Sequence, residues 1–133
     1  KNFSNSLKLK KFLIQNNIFI FFNCCFFISY CNNKKNIENL NYVNSSAIIE
    51  KDIFNKLDFK TLNKFDIIFI DAPYKEKRMD ILLQKIFDAK ILDDKAIIII
   101  HRHKKENENF IDNFNIIEEK VYGISKVIFG NFL

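Results

Sequence analysis

Two continuous apolar runs mark the middle of the chain. The first is FDIIFI, from Phe65 to Ile70, and the second is KAIIIIH, from Lys95 to His101. Such runs are typical of strands that are covered on both faces, as in a parallel sheet. The segment between them carries apolar residues at the spacing of an amphipathic helix: Met79, Leu82, Leu83, Ile86 and Phe87. The pattern therefore predicts a strand, a helix and a second strand.

Shorter apolar stretches flank this unit. AIIEKD, from Ala47 to Asp52, predicts a short strand, and residues 53–64 predict a helical or looping link. Residues 113–132 predict two strands around a turn near Tyr122 and Gly123, with Phe114, Ile116 and Val121 alternating in the first. This order of elements predicts an α/β fold with a mostly parallel sheet, helices on its faces and a terminal antiparallel hairpin.

The N-terminal block has a different character. Lysines at positions 8, 10 and 11 precede an apolar run from Ile18 to Cys31. The run is shorter than the ~20 residues that a membrane-spanning helix requires. It can be a buried strand, a membrane-associated segment or an altered sequence. We therefore divide the chain into an atypical segment, residues 1–33, and a more regular part, residues 34–133.

Composition narrows the class of protein. The chain has 133 residues, 48% of them apolar, which predicts a single folded domain and excludes a disordered chain. The net charge of +5 suits a nucleic-acid partner but also an ordinary basic protein. Cys24, Cys25 and Cys31 are odd in number and poorly spaced for disulfides, so we expect free thiols and a cytoplasmic location.

The residues after the first apolar run are the strongest candidates for chemistry. The strand ends on Asp71, followed by Ala72, Pro73 and Tyr74. At the carboxyl end of a parallel strand, ligands usually bind in a crevice. There a carboxylate can accept hydrogen bonds from an amine, and an aromatic ring can stack on a planar base. Alternatively, Asp71 caps the next segment, Pro73 starts it and Tyr74 packs.

The surrounding sequence extends this motif. FDIIFIDAPY resembles motif IV of amino-methyltransferases, which reads (Asp/Asn)-Pro-Pro-(Tyr/Phe). AIIEKDIF is similar to the strand and acid that precede it, ILDDKAIIII to the next strand, and EEKVYGISKVIFGNF to the closing hairpin. Together, residues 34–133 resemble the bacterial 16S rRNA guanine-N2 methyltransferases, which have a Rossmann-like fold and use S-adenosylmethionine.

The resemblance implies methyl transfer to the exocyclic N2 amine of a guanine in 16S rRNA or a small-subunit precursor. It implies that Asp71 and the backbone carbonyl of Ala72 accept hydrogen bonds from that amine, beside the rigid Pro73, while Tyr74 stacks on the base. It also aligns Asp52 with the acid near the cofactor adenine. The other interpretation of Asp52 is a solvated acid at a strand end.

Two features of the sequence depart from the family pattern. Alanine stands at position 72 instead of the motif's first proline, which removes some rigidity. No glycine precedes Gly123, so the glycine-rich cofactor loop is absent from the sequence. We therefore expect an N-terminally incomplete cofactor half and weak binding of S-adenosylmethionine by this chain.

Basic residues near the motif predict contacts with RNA phosphates, the alternative being solvated surface charge: Lys75, Lys77, Arg78 and Arg102. His101 and His103 are spaced for a metal, but no further ligand is evident, so no metal is expected. We expect a monomer without a membrane partner. Three rival functions stay open: a non-catalytic remnant or RNA-binding module, a DNA adenine methyltransferase, and a small protein anchored through residues 12–31.

Overall fold

A computed structural model of the protein describes residues 11–15, 18–22, 39, 46–49, 53–55 and 57–133. Seven strands lie in these ranges: β1 (Lys11–Gln15), β2 (Ile18–Phe22), β3 (Ser46–Ile49), β4 (Phe65–Asp71), β5 (Leu92–His103), β6 (Phe114–Tyr122) and β7 (Ser125–Phe132). A short 3-10 helix, Phe59–Thr61, precedes β4, and the helix α1 (Met79–Ala89) connects β4 to β5. The predicted strand–helix–strand unit and terminal hairpin are both confirmed.

The strands form one sheet in the order β3-β1-β2-β4-β5-β7-β6. Strands β2, β4 and β5 run parallel, whereas β1 pairs antiparallel with β2 and β3, and β7 pairs antiparallel with β5 and β6. The α/β class is confirmed, but the described sheet is mixed and not mostly parallel. Parallel pairing needs a long crossover, and α1 provides one between β4 and β5.

The N-terminal apolar run contributes to this sheet as far as the structure describes it. Strand β2 lies parallel to β4, with Ile18 opposite Ile67 and Phe22 opposite Asp71. Among the helices in the described ranges, none is long and apolar enough to cross a membrane. Residues 23–31, the rest of the predicted run, lie outside the described part of the chain.

The core lies between α1 and one face of the sheet. Ile68, Ile70, Ile98 and Ile100 are completely buried on this helix face. They pack in one cluster with α1 residues that are at most 1% exposed: Met79, Leu82, Leu83 and Ile86. Burial of a large aliphatic side chain contributes about 1.5–3 kcal/mol to folding.

The opposite face of the sheet is less covered than the apolar runs predicted. Ile67, Phe69 and Ile99 are only half-buried, and Ile97 is 38% exposed. The expectation that β4 and β5 are buried on both faces is therefore wrong for this structure. Burial alternates from Ile67 to Asp71 and from Ala96 to His103, so neighbouring residues at these two strand ends point to different faces.

The C-terminal hairpin confirms the predicted turn. Gly123 has a φ of 59°, a left-handed conformation that suits glycine, and it lies between β6 and β7. In β6, Phe114 is buried, but Ile116 and Val121 are 44% and 56% exposed. The alternating core pattern predicted for β6 is wrong beyond Phe114, because β6 lies at the sheet edge and its register shifts after Ile116.

Replacing Gly130 with alanine should destabilise the protein. A Cβ atom at this position would lie 2.3 Å from Cζ of Phe114 and 2.8 Å from the backbone oxygen of Asn115. Overpacking of this kind costs about 1–3 kcal/mol, which urea unfolding would measure. Gly123→Asn is the matched control, because a Cβ there meets nothing within 4 Å and asparagine tolerates positive φ. Equal stability of Gly130→Ala and the wild type would contradict the packing described.

Candidate active site at the end of strand β4

The candidate site lies at the carboxyl ends of β4 and β5. These strands are parallel neighbours, and Asp71 stands directly opposite His101 in their register. Residues 72–78, called here the corner loop, connect Asp71 to the start of α1. The structure thus places the predicted motif at the sheet edge where α/β proteins bind ligands.

The side chain of Asp71 is held by His101. Nδ1 of His101 lies 2.9 Å from Oδ1 of Asp71, and the two side chains are 27% and 42% exposed, respectively. An ionised carboxylate only accepts hydrogen bonds, so Nδ1 carries the proton in this contact. The contact fixes one oxygen of Asp71, and Oδ2 remains to accept a hydrogen bond from an incoming group.

His101 was not predicted to act on Asp71. Its position could have been found from the two apolar runs, because FDIIFI and KAIIIIH align in parallel and bring their terminal polar residues side by side. The sequence predicted two strands of one parallel sheet but not their register, so the pairing of His101 with Asp71 was missed.

Tyr74 lies beside two imidazole rings. Its ring centroid is 6.3 Å from that of His101 and 5.3 Å from that of His103, with interplanar angles of 69° and 67°. Edge-to-face contacts of this kind hold an aromatic ring in a defined orientation. Tyr74 nevertheless stays 37% exposed, so its ring is oriented by packing but still accessible.

Internal hydrogen bonds shape the corner loop. The backbone N–H of Glu76 donates to the carbonyl of Pro73 at 2.9 Å, which closes a turn. The guanidinium of Arg78 binds both carboxylate oxygens of Glu76, at 2.8 and 2.7 Å, and lies 3.7 Å from the ring centroid of Phe54. Hydrogen bonding to Arg78 lowers the pKa of the nearly buried Glu76.

Arg102 lies on the helix face of β5, opposite to its neighbours His101 and His103. The residue is completely buried, and its guanidinium binds Glu108 and carbonyl oxygens of the corner loop. The prediction that Arg102 contacts RNA phosphates is therefore wrong. A fully buried guanidinium cannot reach a phosphate without dismantling these bonds.

The three other predicted RNA contacts differ in accessibility. Lys75 is exposed, and the side chain of Lys77 is 69% exposed although its Nζ binds the carboxylate of Glu106. This hydrogen bond lowers the pKa of Glu106. Arg78 is half-buried and engaged with Glu76 and Phe54. Lys75 and Lys77 are thus accessible to solvent, whereas Arg78 stabilises the loop.

The predicted cofactor residue Asp52 lies outside the described residues. Within the described ranges, no group of three or more His, Cys, Asp or Glu residues could hold a metal ion. His101 binds Asp71, and Nδ1 of His103 accepts a hydrogen bond from the backbone N–H of Lys105 at 3.1 Å. The His-x-His pair therefore organises the site through protein contacts.

A curated relative is the uncharacterized methylase RP545 from Rickettsia prowazekii. It is 31% identical over 64 residues, which make up 48% of this chain and 27% of that protein. The match thus spans about a quarter of the length of that relative.

Two solved structures share the fold. HI0767 from Haemophilus influenzae, named as a methylase, has a TM-score of 0.62 and 19% identity, and the match covers 87% of this chain and 71% of that chain. YhhF from Escherichia coli, named as a methyltransferase, has a TM-score of 0.61 and 17% identity, with 80% and 59% covered. At these identities, the likeness establishes the methyltransferase-type fold that the sequence predicted.

A family model described as conserved hypothetical protein 95 matches residues 30–131. This range contains β3 to β7, helix α1 and the complete corner loop. It also contains Asp71 and Arg102. Because the match covers most of the chain, the protein belongs to the conserved hypothetical protein 95 family.

Proposed function

We propose that this chain carries the substrate-amine side of a methyltransferase site and acts on the exocyclic N2 amine of a guanine in 16S rRNA. The observation that carries the proposal is the arrangement at the end of β4, where His101 holds the partly exposed Asp71 next to the accessible ring of Tyr74. Relatives and fold neighbours named as methylases support the reaction class.

Asp71 would bind the amine. With Oδ1 bound to His101, Oδ2 would accept one N–H of the guanine amine. The carbonyl of the buried Ala72 accepts a bond from Nη1 of Arg102 at 3.3 Å with one lone pair, and in the proposed complex its second lone pair would accept the other N–H. Two such bonds fix the direction of the nitrogen lone pair. Positioning of this kind is a major source of rate enhancement in transfer reactions.

Tyr74 would bind the base itself. The imidazole rings of His101 and His103 contact it at steep angles, and its 37% exposure would leave ring surface for a flat base. The exposed Lys75 and Lys77 follow in the same loop and would meet the phosphates of the flanking nucleotides. We propose that the protein performs this reaction as a monomer in the cytoplasm, on 16S rRNA or a small-subunit precursor.

The methyl donor implied by this proposal is S-adenosylmethionine, but the described residues do not fit a cradle for it. Both glycines of the chain lie in the terminal hairpin, where Gly123 forms the turn and the Phe114 ring fills the space beside Gly130. Neither provides backbone N–H groups at the edge that holds Asp71. The chemistry derived from this structure is therefore limited to binding and orienting the acceptor amine.

Transfer of labelled methyl groups tests the proposal. The protein would be incubated with labelled S-adenosylmethionine and, separately, small-subunit particles, naked 16S rRNA and duplex DNA, and the modified nucleoside would be identified by mass spectrometry. We expect N2-methylguanosine in the ribosomal substrates. Label in DNA adenine would favour the alternative amino-methyltransferase, and no label in any substrate would favour a non-catalytic RNA-binding module.

Tyr74→Ala should weaken binding of the guanine-containing RNA. Loss of one stacking contact costs about 1–3 kcal/mol of binding free energy. Tyr74→Phe keeps the ring and is the matched control, so its affinity should stay near that of the wild type. Fluorescence anisotropy with a labelled oligoribonucleotide measures both variants. An unchanged affinity for Tyr74→Ala would mean that the ring only packs against the two histidines.

A further inference from the structure

We propose that Arg102 is the positioning residue of the corner loop: its buried guanidinium fixes the backbone of residues 72–76, and thereby the direction of the Ala72 carbonyl. The effect on loop geometry is independent of the reaction. Its consequence for catalysis rests on the function proposed above.

Every N–H of the guanidinium has an acceptor. Nε donates to Glu108, Nη1 to the carbonyls of Ala72 at 3.3 Å and of Pro73, and Nη2 to the carbonyls of Tyr74 at 3.2 Å and of Glu76 at 2.7 Å. A guanidinium has five N–H donors in a planar fork, and here all of them are used. Four loop carbonyls are thus oriented toward one buried cation.

The corner loop needs these hydrogen bonds because its own residues restrict few of its backbone dihedral angles. Pro73 fixes one φ angle, but alanine at position 72 does not fix its own. Carbonyls that turn inward must also find donors, because an unsatisfied buried carbonyl is costly. Arg102 supplies these donors from the rigid strand β5, and Pro73 accepts from both Arg102 and the N–H of Glu76.

Glu108 compensates the cost of burying the Arg102 cation. Its side chain is 5% exposed, Arg102 is completely buried, and the two form an ion pair. Because the charges of Arg102 and Glu108 cancel, the pair supplies hydrogen-bond donors to the loop without adding a net charge near the amine site. Lysine could not replace arginine here, since an ammonium group has only three donors and no planar fork.

Adjacent residues of β5 therefore hold two different parts of the same corner. His101 points to the opposite face and binds the Asp71 side chain, while Arg102 points to the helix face and binds the backbone that follows Asp71. The carboxylate and the carbonyl that would receive the amine are both positioned from one strand end.

Amide hydrogen exchange of Arg102→Lys, followed by NMR in the full chain without RNA or methyl donor, tests the loop role. The N–H of Glu76 reports on it, because it binds the same Pro73 carbonyl as Arg102. We expect this amide to exchange about tenfold faster or more, the effect of losing a hydrogen bond to a charged group. Leu83→Ala is the control, because Leu83 is completely buried in α1 and its side chain makes no hydrogen bond to the loop, so the change destabilises the core and leaves the Arg102 bonds in place. It should leave local exchange at Glu76 slower than in Arg102→Lys.

Methylation kinetics provide the second measurement. If Arg102 positions the Ala72 carbonyl, Arg102→Lys should lower kcat more than it raises KM for the RNA, whereas Leu83→Ala should lower neither at a temperature where it is folded. Unchanged Glu76 exchange in Arg102→Lys would overturn the positioning role. Faster exchange without any methylation by the wild type would leave that role intact and reject the proposed function instead.

Discussion

Asp71→Asn is expected to reduce methyl transfer to guanine about 100-fold or more, the scale seen when one oriented hydrogen-bonding group is removed from an active site. The amide keeps the shape of the side chain but replaces one acceptor oxygen with an N–H donor. That donor would face either His101 or the substrate amine, and both are donors in the proposed arrangement. The amine would lose its orientation while Tyr74 continued to stack on the base.

The matched control is Asp66→Asn on the same strand. Asp66 is exposed and lies near the start of β4, at the opposite end of the strand from Asp71. We expect normal methylation by this variant and near-normal RNA affinity for both. Rates are measured as incorporation of labelled methyl groups at saturating RNA. If Asp71→Asn kept its turnover, the carboxylate would not be the amine acceptor, and its contact with His101 would have a structural role only.

The elements with strong local signals could be predicted from the sequence. Helix α1 could be predicted because its apolar residues repeat at helical spacing. Strand β5 could be predicted because five residues in succession are apolar. The hairpin could be predicted from its turn at Gly123. The antiparallel pairing of β1 with β2 and β3 could not be predicted, because strand order depends on contacts between distant segments that no local pattern encodes.

The candidate site could be predicted only in part, for a related reason. The Asp71–Tyr74 motif is contiguous, so the sequence shows it directly. The role of Arg102 depends on the face to which it points, and within the basic stretch HRHKK it resembles a solvated charge. The alternation of β5 contains the missing signal, because Ile98, Ile100 and Arg102 are two residues apart and share one face. A cation that continues a buried stripe needs buried partners.

Removal of one member of the Arg102–Glu108 pair should cause the largest loss of stability. Arg102→Met would leave the Glu108 carboxylate, only 5% exposed, without its partner, and would remove the Arg102 donors from four loop carbonyls. Breaking a buried ion pair from one side costs about 3–5 kcal/mol. Glu108→Gln should cost less, because the amide oxygen can still accept from Nε. Urea unfolding of both variants gives the free energies.

The double variant Arg102→Met/Glu108→Gln distinguishes coupling from simple addition. Since it leaves no unpaired buried charge, its loss should be smaller than the sum of the single losses. Lys77→Met, Glu106→Gln and their combination form the control cycle on a more exposed pair, where solvent screening should make the coupling much weaker. Additive losses at Arg102 and Glu108 would show that the two charges do not depend on each other. A strong coupling would show that Glu108 stabilises the buried guanidinium that also binds the backbone of the corner loop.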